Sequence, residues 1–266
     1  MQLERTRARI ERAEMHYREF GKVWNAFVGQ DEPYSPFVRI DSHGEGIIYV
    51  DPNGLPAQEL ALEFGEMLYQ LRAALDSLVY EVAVLDSGQD PPPDAKQLEF
   101  PIRGSKASFD QAAWKIAPLT DQHRDMIESI QPYDPGQRTE AQRLMGETLQ
   151  VINDLARKDR HRGLRVIASW GSNKNPQIGT LPPGCTLERL TTTPDGLLER
   201  ESEVARFKID GWRGGLEIEA NPNLTIDVTV EDAAPPRNDT DTLSDRSRQM
   251  IAIVRVTIEG FEETLD

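Results

Sequence analysis

Four long segments of the chain repeat apolar residues at the three- and four-residue steps of an α-helix. The clearest is 57–86, where the apolar stripe extends over about eight turns. A second row beside that stripe contains Gly65, Tyr69, Arg72 and Asp76. The other three segments are 3–28, 138–163 and 242–265, and two shorter helices are expected at 107–117 and 119–131, separated by Pro118.

The first helical segment also carries a heptad pattern, with seams every seven residues. One seam is Leu3, Ile10, Tyr17 and Trp24. Such a seam packs against other helices, which belong either to the same chain or to a second copy. We therefore expect these four side chains to be covered, and a homo-oligomer through helix 3–28 is one way to cover them.

Two other regions alternate apolar and polar residues with a period of two, as strands with one wet face do. Residues 37–50 predict a hairpin around a Gly-rich turn. Within 164–231 the alternation is plain at 205–209, 216–220 and 224–230, and 233–241 is expected to be a linker. The pattern predicts an α+β fold with a single domain, 1–266. Four long helices would form a bundle-like core from 1–30, 57–163 and 242–266, and an antiparallel β-sheet region (37–50 and 164–231) would be inserted before the last helix.

The composition adds strong net acidity, with a formal charge of −15. This charge repels nucleic acids and anionic membrane surfaces on average. The chain has one cysteine, no apolar run of membrane-spanning length and a charged helix at its start in place of a signal peptide. We therefore expect a cytoplasmic protein that does not bind membranes.

Motifs for cofactors and metals are weak in this sequence. The four histidines are far apart, Cys185 has no partner, and Gly44-Glu45-Gly46 lacks the later glycine and the helix of a phosphate-binding loop. No nucleophile elbow is present. We therefore expect no cofactor and no metal site.

A dense cluster of charged residues, 153–162, lies at the C-terminal end of the predicted helix 138–163. On a helical wheel Asp159 falls inside the apolar arc and Arg162 at its edge. A buried carboxylate needs a cationic partner, so we expect Asp159 to be buried and to pair with Arg72. Asp76 lies within reach of Arg72 on the same helix and could also pair with Arg162. In this interpretation the charges fix the register of the helices.

The same region has a functional interpretation, because residues 155–165 hold five Lys and Arg residues against one acid, Asp159. Arg157 and His161 lie four residues apart on the far side of the helix from the core. An anion or nucleotide pocket could use these side chains together with Lys158, Arg160 and Arg162.

Several motifs together resemble a family of uncharacterised actinobacterial and phage proteins. They are the segment 71–80 (Leu-Arg-Ala-Ala-Leu-Asp-Ser-Leu-Val-Tyr), Phe100-Pro101-Ile102, Ile130-Gln131-Pro132-Tyr133 and the segment 153–162. The last motif tends to read Asp-Lys-His-Arg in that family, and here it reads Asp159-Arg160-His161-Arg162. The resemblance covers about 57–165 and implies a shared helical domain.

A weaker resemblance is to the HEPN helical domains, many of which are metal-independent ribonucleases. Those domains carry an Arg, four to six residues and then a His, whereas only three residues separate Arg157 from His161. The resemblance implies that these two residues would be catalytic.

Two hypotheses of function follow. The first is a non-enzymatic interaction or ligand-binding protein, with an unknown protein partner or a second copy of itself. The second is a HEPN-like ribonuclease or nucleotide-acting protein, in which RNA or a nucleotide is the partner. The acidic total, the short Arg–His spacing and the missing nucleophile favour the first.

Overall fold

The chain folds as an α+β protein, as the hydrophobic pattern predicts. The computed structural model describes residues 3–29, 34–54, 58–134, 136, 138–164, 166–172, 176–194, 196–215, 217–230 and 242–265. The side chains of 162, 167–172 and 225–227 are outside that description, as is the predicted linker 233–241.

Six α-helices are present in the described part of the chain. The four long ones match the predicted segments closely, and the region between α2 and α5 forms shorter helices with a 3-10 turn at Ala113–Ile116. The helices are α1 (Glu4–Val28), α2 (Gln58–Ser87), α3 (Lys106–Asp110), α4 (Asp121–Ser129), α5 (Glu140–Arg162) and α6 (Leu243–Glu262). None of them combines the length and apolar character needed to cross a membrane.

Nine strands form three antiparallel sheets within the described residues. The largest has the order β1-β2-β7-β5, the second β6-β3-β9 and the third β4-β8. The strands are β1 (Tyr34–Ile40), β2 (Glu45–Pro52), β3 (Val166–Ser172), β4 (Gln177–Ile178), β5 (Thr186–Thr192), β6 (Gly196–Leu197), β7 (Ser202–Asp210), β8 (Ala220–Asn221) and β9 (Leu224–Val230).

The chain separates into two compact units, and the single domain 1–266 stays a prediction. Unit 1 comprises Met1–Gly21, Ala61–Leu164 and Ser244–Asp266, and unit 2 comprises Lys22–Leu60 and Arg165–Leu243. The physical reason is that unit 2 buries a core of its own. Strand β2 of the hairpin β1–β2 pairs with β7, whose Phe207 is fully buried in this core. Gly46 of β2 lies so close to Phe207 that any side chain at residue 46 would meet the ring.

In unit 1 the long helices are joined by side-chain hydrogen bonds as well as by apolar packing. Thr6 of α1 donates to the Glu81 carboxylate of α2 with an Oγ1–Oε2 distance of 2.6 Å. Tyr17 of α1 lies 2.8 Å from the Ser244 hydroxyl of α6. Three residues of the predicted heptad seam are covered within unit 1, since Leu3 and Ile10 are buried and Tyr17 is half-buried. The fourth, Trp24, belongs to unit 2, where it is half-buried and stacks on Phe27.

Candidate functional site

Local sequence signals fix the length of α5 and thereby the position of its charged end. Thr139 caps the helix, and Gln142 completes a reciprocal capping box with it. The helix stops at Gly163, whose φ of 71° is in the region that favours glycine. The last two turns, which carry Asp159 and Arg160, are thus still helical and lie beside α2.

A cleft of about 420 Å³ lies between α2 and α5 in unit 1. We call it the α2/α5 cleft. Its α5 wall is Ala156, Asp159 and Arg160. Its α2 wall follows the second row of that helix, and includes Glu66, Tyr69, Arg72, Ala73, Asp76 and Ser77.

Asp159 approaches α2 at its glycine. A Cβ built on Gly65 would lie 2.7 Å from Asp159 Oδ2, so the carboxylate packs directly on the helix backbone. Asp159 is half-buried, and among the described residues it has no cation at ion-pair distance. The predicted pairing of a buried Asp159 with Arg72 is therefore wrong: the half-buried carboxylate lines the α2/α5 cleft.

Arg72 pairs elsewhere because a segment remote in sequence supplies closer acceptors. Its Nη1 lies 2.8 Å from Asp76 Oδ1, its Nη2 lies 3.2 Å from Glu99 Oε1, and Nη2 also donates to the Phe100 carbonyl at 2.7 Å. The Arg72–Asp76 pair agrees with the sequence. Arg72 is only 8% exposed, and its Nη1 has an ionic contact without a well-directed hydrogen bond.

The two carboxylates around Arg72 have pKa values shifted in opposite directions. Burial raises the pKa of Asp76 and outweighs the charge of Arg72 and the N–H of Phe100. Burial alone would also raise the pKa of Glu99, but the hydrogen bond from Lys115 and the charges of Arg72, Lys115 and Arg103 lower it. Glu99 is therefore held as an anion more firmly than Asp76.

The structure places the other predicted site residues outside the cleft, apart from Arg160. Arg157 is exposed and lies 3.7 Å from Asp154, His161 is exposed, and Lys158 is half-buried. Arg160 lines the cleft, and its Nε donates to the Ala156 carbonyl at 3.4 Å. The side chain of Arg162 lies outside the described residues, so the predicted Arg162–Asp76 pair stays a prediction.

Sequence reasoning did not select Glu66, Tyr69, Ser77, Glu99 or Asn153 as site residues. The signal for the α2 residues was the second row of that helix, since Gly65, Tyr69, Arg72 and Asp76 recur on one face. Glu99 and Asn153 line an adjoining cavity of about 320 Å³ together with Arg72, Asp76 and Arg160. Among the residues that the structure describes, no group of three or more His, Cys, Asp or Glu is arranged to hold a metal ion.

A second polar cluster in unit 1 centres on His123, which is 4% exposed. Its Nδ1 lies 2.8 Å from Asp86 Oδ2, and its Nε2 lies 2.9 Å from Thr264 Oγ1. The Thr264 hydroxyl in turn donates to the Phe261 carbonyl at 2.7 Å. This cluster joins the end of α2, the start of α4 and the residues after α6, and we assign it a structural role.

The chain was compared with known proteins. No protein-family model, curated protein or solved structure matches it. The site is therefore interpreted from its own geometry and chemistry.

Proposed function

We propose that this protein is a non-enzymatic ligand-binding protein whose ligand occupies the α2/α5 cleft. The observation that supports the proposal is that two adjacent charged side chains on the cleft wall have no ion-pair partner in the described part of the chain. Asp159 and Arg160 both line the cavity, and neither has an ion-pair partner among the described residues. Nearby charges such as Arg72, Asp76, Glu99 and Lys115 are all paired.

Charges without a protein partner on a cavity wall support ligand binding because a ligand that covers them can supply the opposite charge; Asp159 is half-buried and Arg160 is exposed. The volume of the cleft is within the range of about 300–1,000 Å³ that is usual for small-molecule sites. In the proposal, the four long helices form a bundle-like core that carries the site on α2 and α5. The protein acts in the cytoplasm, away from membranes, and its partner is a small molecule.

The test is native mass spectrometry of the purified protein after incubation with a small-molecule cell extract. In Ala73→Trp, an indole is placed in the cleft, and Leu62→Trp is the matched control at an exposed position of α2. We expect wild type and Leu62→Trp to retain a small molecule that Ala73→Trp loses. The proposal fails if wild type retains nothing, or if a folded Ala73→Trp variant retains the same molecule.

The alternative function is a HEPN-like metal-independent ribonuclease that uses Arg157 and His161. The observation in its favour is that both side chains are exposed on α5, four residues apart, and can converge on one phosphate. His161 would transfer the proton and Arg157 would stabilise the phosphate charge. The site would need a partner chain to cover it, because neither residue lines the α2/α5 cleft.

An RNA cleavage assay in excess chelator decides between the two functions. Wild type and His161→Ala are incubated with RNA side by side. We expect no cleavage by either protein. Chelator-resistant cleavage by wild type that is lost in His161→Ala would replace our proposal with the nuclease.

A further inference from the structure

The helices α2 and α5 run antiparallel along the α2/α5 cleft, so the end of α5 lies beside the beginning of α2. Different side chains therefore line the two ends of the cleft. Asp159 packs on Gly65, near the beginning of α2. Asn153, nearly two turns earlier in α5, shares a cavity with Arg72 and Asp76, which lie two to three turns later in α2. The cleft therefore extends from an Asp159 end to an Arg72 end.

The Asp159 end offers negative charge and an aromatic surface. Glu66 follows Gly65 directly, is exposed, and like Asp159 has no ion-pair partner in the described part of the chain. Tyr69 lies one turn further along the same wall and is 50% exposed. Two carboxylates beside a tyrosine ring form a suitable environment for a protonated amine, which can bond to the acids and lie near the ring.

The Arg72 end offers hydrogen-bond donors. Side chains on a helix incline towards its N-terminus, and the bond from Arg160 Nε to Ala156 shows that Arg160 does so. Its guanidinium accordingly lines both cavities, beside the Arg72 end. Arg72 is more than nine-tenths buried, and its Nη1 has no directed hydrogen bond. Because Arg72 Nη1 is buried and in ionic contact with Asp76, the donor that an acceptor on a ligand can reach at this end is the Arg160 guanidinium.

We infer that the α2/α5 cleft binds a small zwitterion, a molecule that carries a protonated amino group and a carboxylate. The amino group lies at Asp159 and Glu66, and the carboxylate lies at Arg160. This assignment rests on the proposed function and names its ligand class. In this assignment the unpaired Asp159, Glu66 and Arg160 each contact an opposite charge of the ligand. The Arg72–Asp76 and Arg72–Glu99 pairs stay in place.

The test uses the twenty standard L-amino acids as probes, first by thermal shift and then by calorimetric titration. Asp159→Asn and Arg160→Gln each remove one charge from the cleft. Asp154→Asn and Arg157→Gln make the same changes on α5 outside the cleft. We expect at least one amino acid to bind, the cleft variants to weaken it by about tenfold or more, and the controls to stay within about twofold.

Modified probes separate the two charges of the ligand. For the tightest amino acid, the N-acetyl derivative lacks the ammonium group, and the decarboxylated amine lacks the carboxylate. We expect both to bind at least about tenfold more weakly than the parent. Equal binding of the parent and either derivative overturns the zwitterion, and so does a parent affinity that is the same in wild type, Asp159→Asn and Arg160→Gln.

Failure of this inference is distinguishable from failure of the proposed function. If no amino acid binds but native mass spectrometry finds a small molecule that Ala73→Trp loses, the cleft binds another ligand class and the zwitterion alone is overturned. If wild type retains no small molecule and binds no amino acid, both proposals are overturned.

Discussion

The carboxylate of Asp159 lies on the backbone of Gly65, with 2.7 Å between Oδ2 and the position that a Cβ on residue 65 would occupy. Gly65 is buried within the 30-residue helix α2. Glycine in a helix interior costs about 1 kcal/mol relative to alanine. The close approach of Asp159 is the structural reason for glycine at this position.

Gly65→Ala tests this contact best in a double-mutant cycle with Asp159→Ala. In wild type, we expect Gly65→Ala to be neutral or destabilising, because the methyl group displaces the carboxylate. In the Asp159→Ala background the methyl group has space, and we expect a gain of about 0.5–1 kcal/mol in the free energy of unfolding. Urea denaturation of the four proteins measures the coupling, and equal effects in both backgrounds would show that the residues do not touch.

The long helices and the hairpin of the largest sheet could be predicted from the sequence because their apolar residues recur at the period of a helix or of a strand. The long helices begin and end within a few residues of the predicted bounds, and the hairpin at 37–50 is present as β1 and β2. The pairing of β2 with β7 could not be predicted, since alternation shows which face of a strand is buried but not which strand lies beside it. The predicted strand at 216–220 is reduced to β8, which is two residues long.

The sequence could predict the candidate site only for residues whose orientation follows from their position on a helix. The angle of Asp159 on α5 correctly placed its carboxylate towards another helix and left Arg157 and His161 exposed. Asp76 was predicted as a partner of Arg72, but Glu99 and the Phe100 carbonyl were missed because they lie in a segment without regular structure. The position of such a segment depends on tertiary packing, for which hydrophobic periodicity gives no signal.

His123 should contribute more to stability than the other histidines. His123→Ala removes the ring between Asp86 and Thr264 and leaves a nearly buried carboxylate without one of its partners. We expect a loss of about 1–3 kcal/mol in the free energy of unfolding.

Denaturant melts measure this loss against two comparisons. His43→Ala changes an exposed histidine and should stay within about 0.5 kcal/mol of wild type. Thr264→Val removes only the outer hydrogen bond, so its effect should be the smaller one. A His123→Ala protein as stable as His43→Ala would contradict the structural role of this cluster.

The opposite pKa shifts of Glu99 and Asp76 predict opposite pH dependences of stability. The pKa of Glu99 is lowered by folding, so its contribution is present above the ordinary value of 4.5 and is lost as pH falls through the folded-state value. Wild type should therefore lose its advantage over Glu99→Gln on acidification, as measured by thermal melts across the acid range.

Asp76 should behave in the reverse sense, because its pKa is raised by folding from 3.8. Its neutral form favours the folded state, and that contribution is lost as pH rises through the folded-state value. Wild type should therefore gain stability relative to Asp76→Asn as pH falls. Parallel curves for the two variants would refute the opposite shifts.

The buried seam of α1 predicts unfolding that does not depend on protein concentration. Ile10 is 6% exposed within the single chain, so Ile10→Ala should cost about 2–5 kcal/mol. The exposed Val256 supplies the control, and Val256→Ala should cost less than about 0.5 kcal/mol. If α1 were instead an interface between copies, the melting temperature of wild type would rise with protein concentration.

The interleaved segments of the two units impose an order on folding during synthesis. Unit 2 is complete once Leu243 has left the ribosome, whereas unit 1 still lacks α6 at that stage. The α1 residues that pack with α6, such as Tyr17 with Ser244, remain without their final partner until more than 220 further residues have been translated. Contacts this distant in sequence form slowly. The nascent chain can therefore dock α1 on α2 early, through contacts such as Thr6 with Glu81, but it exposes the α1 surface that faces α6 through most of translation, and that surface is then most open to chaperones and to aggregation.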